Sequence, residues 1–192
     1  MGSLSCAMLR KVAVFTSMTL TKGTMERRAK RDAVRAQQGI RNVERAKEMH
    51  QARLSSVDNH TPYQVTDDVE TIRHHVGCSG WFYWHWKGVF YPEHVSTSDW
   101  FNHYKSKFKT VELNAPFYSW PTIATVKTWV RQAGRTKMMY TIKASELITH
   151  TKRFIGTKTL VRDFGFIADL LGPRMGCFLF QLPPSFHYSA GT

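Results

Sequence analysis

The feature that most constrains the fold is a strand–helix rhythm over residues 76–182, with successive strands roughly 30 residues apart. Short apolar segments alternate there with longer segments whose apolar residues recur at helical spacing. This alternation is typical of βαβ units, which place their strands in one parallel sheet. The predicted strands are 76–81, 110–114, 138–145 and 177–182, and the predicted helices between them are 97–108, 122–134 and 160–172.

Turn and cap residues mark the ends of these helices. Ser98 predicts the N-cap of the first helix, and Pro121–Thr122 opens the second. Gly134 closes the second helix, and Gly172 followed by Pro173 closes the third. Residues 76–192 are therefore predicted to form an α/β domain.

The predicted strands alternate between apolar and polar residues. A strand buried on both faces would not carry an unpaired carboxylate such as Glu112, because burying a charge is costly. One face of the sheet should therefore lie under helices, while the other stays polar toward its carboxyl end. The apolar face would comprise Val76, Cys78, Val111, Leu113, Tyr140, Ile142, Phe178, Phe180 and Leu182, and the polar face Gly77, Ser79, Glu112, Asn114, Thr141, Lys143, Ser145, Leu179 and Gln181.

This two-faced pattern fits a (β/α) barrel of the TIM type, in which chemistry sits at the carboxyl ends of the strands. An open doubly wound sheet also binds ligands at that edge. It is less expected to show polar residues at every strand end of a single face.

The amino-terminal region has a different character. Residues 24–54 predict one long helix with a narrow stripe of small and apolar residues, surrounded by nine Lys/Arg and four Asp/Glu. Such a helix could lie on nucleic acid, or it could be a solvated helix that docks lightly on the domain. The predicted organisation is a disordered or non-native start over 1–23, a basic helix and linker over 24–75, and the α/β domain over 76–192. The stripe comprises Ala29, Ala33, Ala36, Ile40 and Val43.

Charge and cysteine content limit the partners and the compartment. The formal net charge of +13 favours anionic partners, either small anions or nucleic acid, although a basic surface alone names none. Three cysteines without a CxxC pair indicate no disulfide framework, which favours a reducing, cytoplasmic location. No apolar run is long enough to cross a membrane. Nucleotide-loop and HExxH zinc motifs are absent, so the sequence predicts no particular cofactor and no metal site.

Four motifs carry a resemblance to a known family. "GCSGWFYWHWKGVFYPE", "FKTVELNAPFYSWP", "YTIKASELITHTKRF" and "GCFLFQLPPSF" are similar to the YecE-like family, also called domain of unknown function 72. The match covers residues 76 to about 188, in order and with tight spacing. The resemblance implies a TIM-type barrel but no particular chemistry.

The chain ends just after the fourth predicted strand, so the resemblance leads us to expect only the first half of such a barrel. This would be a truncated product or a gene fragment. A homodimer that completes the barrel is a further alternative. A half-barrel would have two open sheet edges and an exposed inner surface, both of which favour association.

Glu112 and Lys143 are the predicted catalytic residues. Glu112 could act as a general acid or base or as a metal ligand, or it could be a structural carboxylate paired with Lys143 on the next strand. Lys143 could hold an anionic group or act as a nucleophile. Asn114 and Gln181 would orient a ligand through hydrogen bonds.

Other candidate substrate contacts lie in the loops beyond the strands. His150, Lys152 and Arg153 follow the third strand and together suit a phosphate or carboxylate, or they form an ordinary basic loop. Aromatic residues after the first two strands could stack on bases or sugars, or they could close the loops onto the core. The substrate-binding candidates are Ser79, Trp81, Asn114, Tyr118, His150, Lys152, Arg153 and Gln181.

Two functions of different class remain open. The first is an enzyme-type barrel that acts on a phosphate-bearing or otherwise anionic substrate. The second is a nucleic-acid-binding or regulatory module that uses the basic helix and the aromatic loops without catalysis. A fragment without function is the third alternative.

Overall fold

A computed structural model of the chain describes residues 22–56 and 74–187. Within these ranges the chain forms two compact units that divide between Arg35 and Ala36. The first unit contains the beginning of helix α1 (Lys22–Ser56), and all other elements belong to the second unit. The predicted start over 1–23 and linker over 55–75 lie almost wholly outside the described residues. The predicted division of the chain at residue 76 stays a prediction.

The second unit is built on four parallel strands in the order β1-β2-β3-β4, which confirms the predicted α/β class. A π-helical turn, Leu147–Thr151, follows β3, and 3₁₀ turns lie at Trp84–Trp86, Thr97–Asp99 and Gly172–Arg174. The strands are β1 Gly77–Cys78, β2 Thr110–Leu113, β3 Met139–Lys143 and β4 Met175–Leu179. The helices of this unit after α1 are α2 Trp100–Lys107, α3 Ala115–Tyr118, α4 Ile123–Ala133 and α5 Lys158–Leu171.

Most predicted helix ends are confirmed. The Thr122 side chain caps α4 by accepting a hydrogen bond from the Thr125 N–H, as an N-cap threonine does. Gly134 and Gly172 end α4 and α5 with φ of 60° and 54°, a backbone conformation that glycine adopts without strain. The Ser98 cap is wrong, because Ser98 lies inside a 3₁₀ turn and Asp99 precedes the first residue of α2.

The strands are shorter than predicted. Strand β1 has two residues instead of six, and Val76, predicted to be on the apolar face, is exposed just before it. Strand β4 begins two residues early and ends at Leu179, so Phe180 and Leu182 are exposed beyond it. Ser145 also lies past its strand and is buried, whereas alternation placed it on the polar face. Periodicity locates a strand well, but it does not show where backbone pairing stops.

The central strands show the predicted alternation. Val111, Leu113, Tyr140 and Ile142 are at most 4% exposed and belong to one hydrophobic core. The alternate residues of β2 and β3 are only half-buried. One side of the sheet is thus the core and the other is not. The helical side chains in this core include Phe101, Tyr104, Val126, Trp129, Phe164, Ile167 and Leu171.

The carboxyl-terminal part of α1 packs into the same core. Ala46 and Met49 are each 2% exposed, and Asn42 is 1% exposed. The stripe predicted on α1 does not form the packed face of the helix. All five stripe residues are exposed, and the buried residues lie on a different face. The reason is that this face includes a buried amide, which apolar periodicity cannot detect.

Two polar clusters fix this part of α1 in place. The Asn42 side chain donates to the Tyr118 carbonyl at 3.1 Å and accepts from the Trp120 N–H at 3.0 Å. At the other end, Asp163 on α5 is buried and lies 2.9 Å from Arg53 Nε and 3.0 Å from His50 Nδ1. Because a buried carboxylate needs a partner, Asp163 ties the end of α1 to α5.

A tyrosine hydroxyl joins the first two strands. The Tyr104 hydroxyl accepts from the Cys78 N–H at 2.8 Å and donates to the Thr110 carbonyl at 2.9 Å. Gly77 lies so close to β2 that a Cβ at this position would be 2.2 Å from the Thr110 carbonyl oxygen. The short β1 is therefore held by a side chain from α2 and by a close backbone approach that only glycine permits.

None of the helices in the described ranges has both the length and the apolar character that crossing a membrane requires.

Candidate functional site

The site begins where β1 and β2 end. Asn114 directly follows β2, and its Nδ2 donates to Ser79 Oγ, which follows β1, at 2.6 Å. The Ser79 carbonyl in turn accepts from the Tyr83 hydroxyl. Two of the predicted substrate contacts are thus joined directly, and both lie at the carboxyl edge of the sheet.

A row of polar side chains crosses the polar face of the sheet, opposite the core. Glu112 on β2 is in register with Thr141 on β3, which is in register with Cys177 on β4. The Thr141 Oγ1 lies 3.4 Å from the Cys177 Sγ. Thr141 was predicted on this face. Cys177 was not among the predicted residues, although it lies two positions before Leu179, which was.

Glu112 does not form the ion pair with Lys143 that the sequence suggested as an alternative. Within the described residues its carboxylate has no hydrogen bond and no cation within 4.0 Å, while the side chain is half-buried. A carboxylate that is half-buried and unpaired can still exchange a proton or accept a hydrogen bond from a ligand.

Lys143, at the end of β3, contacts an aromatic ring. Its Nζ lies 4.6 Å from the ring centroid of Phe117, a distance suited to a cation–π interaction. His150 meets the same ring edge-on at 5.0 Å, and its Nδ1 lies 2.8 Å from Thr149 Oγ1. Phe117 therefore brings the predicted Lys143 and His150 to one place, a role that its residue type alone did not reveal.

The other two basic candidates of this loop separate from that group. Arg153 donates to the Ser185 carbonyl at 2.6 Å and lies over the Phe186 ring at 5.5 Å. Arg153 and Phe154 both have positive φ, of 49° and 63°, which turns the chain sharply after the π-helical turn. Lys152 is exposed. Arg153 thus contacts the carboxyl-terminal segment, where Gln181 is also exposed beyond β4.

The aromatic candidates divide between core and surface. Trp81 is half-buried and its ring lies 4.7 Å from Phe101, so this ring packs onto the core. Tyr118 is exposed, as are Phe82 and Trp84 in the loop after β1. These exposed rings can meet a ligand without rearrangement.

The site therefore combines an unpaired carboxylate, a primary amine, an imidazole, a thiol and an amide at one edge and one face of the sheet. Such a set can transfer protons and bind a negatively charged group. In the ranges 22–56 and 74–187, no three His, Cys, Asp or Glu side chains form a group that could hold a metal ion.

An α/β protein with a four-stranded parallel sheet, apolar under its helices and polar on the other face, is the class that fold and site define. The chain belongs to the family described as "Protein of unknown function DUF72", whose model matches residues 75–191. This confirms the resemblance seen in the sequence.

A solved structure supports the same assignment. The crystal structure of a DUF72 family protein from Thermotoga maritima is similar with a TM-score of 0.51 and 30% sequence identity. The match covers 60% of this chain and 46% of that one, so this chain spans about half the length of its structural neighbour. No curated protein gives a significant match.

Proposed function

We propose that residues 76–187 supply four strands of a TIM-type (β/α) barrel, with an enzyme-type site at their carboxyl ends. Two features support the barrel. The strands follow one another in chain order without reversal, whereas a doubly wound sheet reverses its order at the ligand site. The face of the sheet opposite the core is polar at its carboxyl end, as the inside of a barrel is where its loops bind substrate.

The proposed substrate is a phosphate-bearing or otherwise anionic molecule. Lys143 and His150, held by the Phe117 ring, would bind the anionic group, and Lys152 and Arg153 would complete the binding loop on substrate entry. Asn114 and Ser79 would orient the substrate through the polar atoms that their mutual hydrogen bond leaves unused. Gln181, Trp81 and Tyr118 are proposed as outer contacts.

Glu112 would transfer the proton. The observation that carries the proposal is the position of this carboxylate. It is half-buried, unpaired within the described residues, on the face of the sheet opposite the core and one strand away from Lys143. A structural carboxylate in such a place would normally have a cation or an N–H as partner. A base that awaits a substrate needs to keep its oxygens available.

The test is a turnover screen with phosphate esters, followed by two site variants and two controls. Glu112→Gln should abolish turnover while substrate binding persists, and Lys143→Met should raise the KM or the Kd for the anion. Glu93→Gln and Lys127→Met remove the same charges at exposed positions elsewhere and should change neither. Full turnover in Glu112→Gln would refute the assignment of the proton donor or acceptor.

The alternative is nucleic-acid binding without catalysis, and the first unit gives it specific support. Arg28 and Arg31 are both exposed on α1, and neither has a carboxylate partner within the described residues. Such a helix can neutralise phosphates along a strand.

Deleting the whole of α1 would not separate lost binding from lost stability, because residues 42–53 are part of the core. Arg28→Gln with Arg31→Gln leaves that core intact. If the alternative holds, this pair weakens binding of an oligonucleotide and lowers its salt dependence, while Glu112→Gln has no effect on either. Unchanged binding in the double variant would exclude the helix as the contact.

A further inference from the structure

A cavity lies at the edge of the sheet opposite the proposed active site. Its volume is about 940 Å³, and its walls include Thr110 and Met139, the first residues of β2 and β3. Val76, just before β1, and Arg174, just before β4, also line it. Because these residues precede or open the four strands, the cavity is at the amino-terminal edge, away from Asn114 and Lys143.

The charged residues that line this cavity within ranges 22–56 and 74–187 all have one sign. Among these described residues, five lysines and arginines and two histidines line it, and no aspartate or glutamate does. Like charges gathered around a cavity repel one another, and an anion would relieve that repulsion. The five cations are Lys107, Lys109, Arg135, Lys137 and Arg174.

Two of these cations donate hydrogen bonds to backbone carbonyls and so hold the wall of the cavity in place. Arg174 donates to the Thr136 carbonyl at 2.5 Å and to the Gly134 carbonyl at 2.6 Å, so it fixes the loop that carries Arg135 and Lys137. Lys109 donates to the Lys105 carbonyl at 2.9 Å. A loop that is tied to the start of β4 in this way is a firm support for charged side chains.

The other three cations are available to a ligand. Lys107, Arg135 and Lys137 are exposed, and within the described part of the chain none of them has a carboxylate within 4.0 Å. They reach the cavity from the end of α2 and from the loop after α4. Three free cations on two elements can surround a polyanionic group.

Much of the remaining wall is apolar, and Thr110 and Thr136 add polar side chains to it. Phe108, Met139 and Pro173 lie between the cations. A phosphate ion alone would leave this surface uncovered, and a basic patch for nucleic acid would not need a cavity with apolar walls. A cavity within or near the usual range of about 300–1,000 Å³, with mostly apolar walls and a few polar groups, is typical of small-molecule sites.

We propose that this cavity binds a small organic polyphosphate of the nucleotide class. Its phosphates lie against Lys107, Arg135 and Lys137, and its apolar body lies against Phe108 and Met139. The site is separate from the proposed active site and does not depend on it. It gives the protein a second ligand whose binding can be measured without any turnover.

The test uses the complete 192-residue chain and ATP as the probe, with Kd measured by calorimetry at fixed salt. Lys107→Gln with Lys137→Gln should weaken ATP binding by at least about tenfold, because charge-assisted contacts are lost. Lys127→Gln with Lys158→Gln removes the same charge from exposed positions outside the cavity and should leave the Kd within about twofold. Thermal melting confirms that both pairs are folded.

Three results would overturn the proposal. The first is equal weakening in both pairs, which would mean that net charge and not the cavity attracts ATP. The second is tripolyphosphate binding as tightly as ATP, which would remove the role of the apolar wall. The third is an oligonucleotide that competes with ATP at a much lower concentration, which would make the surface a nucleic-acid contact. Glu112→Gln should leave ATP binding unchanged, so failure here and failure of the proposed active site are distinguishable.

Discussion

The two faces of the sheet are built from alternate residues of the same strands, but one face forms the core and the other carries the proposed site. On one face, Val111, Tyr140 and Ile142 are closed off by helices and form the core. On the other, open face, Glu112, Thr141 and Cys177 form a polar row whose side chains are half-buried or exposed. The difference shows that residues which hold the fold and residues available for chemistry can lie one position apart. Substitutions should therefore separate stability from activity with unusual sharpness.

The largest effect should come from the covered face. Ile142→Ala removes a fully buried side chain at the centre of β3 and should lower the free energy of unfolding by about 2–5 kcal/mol. Thr141→Ala, one residue away on the open face, should cost less than about 1 kcal/mol. Chemical denaturation of both variants measures the contrast, and similar losses in the two would show that the faces are not energetically distinct.

The next effect tests whether the carboxyl-terminal part of helix α1 is packed on the core in solution. Arg53→Met leaves the buried Asp163 with His50 alone and should cost about 2–4 kcal/mol. The matched change Arg41→Met, at an exposed position earlier on the same helix, should be almost neutral. Thermal melting provides the measurement. If both variants melt alike, the second half of α1 is not bound to the domain in solution.

Alkaline pH should weaken the covered face. Burial raises the pKa of Tyr140 to about 12 from its ordinary value of 10.0, although the nearby Arg174 opposes the shift. The folded state therefore holds this proton more tightly than the unfolded state. The associated stability is complete below about pH 10 and is lost as the pH rises toward about 12, to the extent of about 2–3 kcal/mol.

Denaturation at about pH 9 and about pH 12 measures this loss. Tyr140→Phe is the control. It loses the hydrogen bond to the Trp129 carbonyl at every pH, but its stability should fall less over this pH interval. A fall as steep as in the parent chain would assign the alkaline loss to other groups, of which Tyr91 and Tyr104, whose pKa values are also raised by burial, are the candidates.

The smallest effect on stability should come from the open face. Glu112→Gln removes a charge that has no ion pair within the described residues, so it should change the free energy of unfolding by no more than about 0.5 kcal/mol. Denaturation beside the parent chain measures this. A loss of several kcal/mol would mean that Glu112 is a structural residue, and the proposed site would then lose its proton donor or acceptor.

Sequence reasoning predicted the features that depend on neighbouring residues. The alternation around Glu112 and the ends of α4 and α5 at Thr122, Gly134 and Gly172 all follow from local periodicity and backbone preference. The family could also be identified, because its motifs are contiguous strings.

Features that depend on distant contacts could not be predicted in this way. Asn42 is buried because two backbone groups of residues 118–120 use its amide, and no pattern within α1 encodes them. Lys143 contacts Phe117 on α3 instead of Glu112, although Glu112 is in register with Thr141, two residues before Lys143 on the same face of β3. The cavity at the amino-terminal edge could not be predicted, because its cations come from separate segments of the chain. No single one of these cations marks a site in the sequence, and only the fold brings them together.

The hydroxyl of Tyr104 between the first two strands has a consequence for how the sheet opens. The Cys78 amide proton is bonded to this oxygen, so its exchange with deuterium requires the tyrosine to withdraw. Because Tyr104 belongs to α2, that proton reports whether the helix and the first strand come apart as one unit. The deuterium-exchange rate of this one amide therefore measures how often the edge of the sheet detaches.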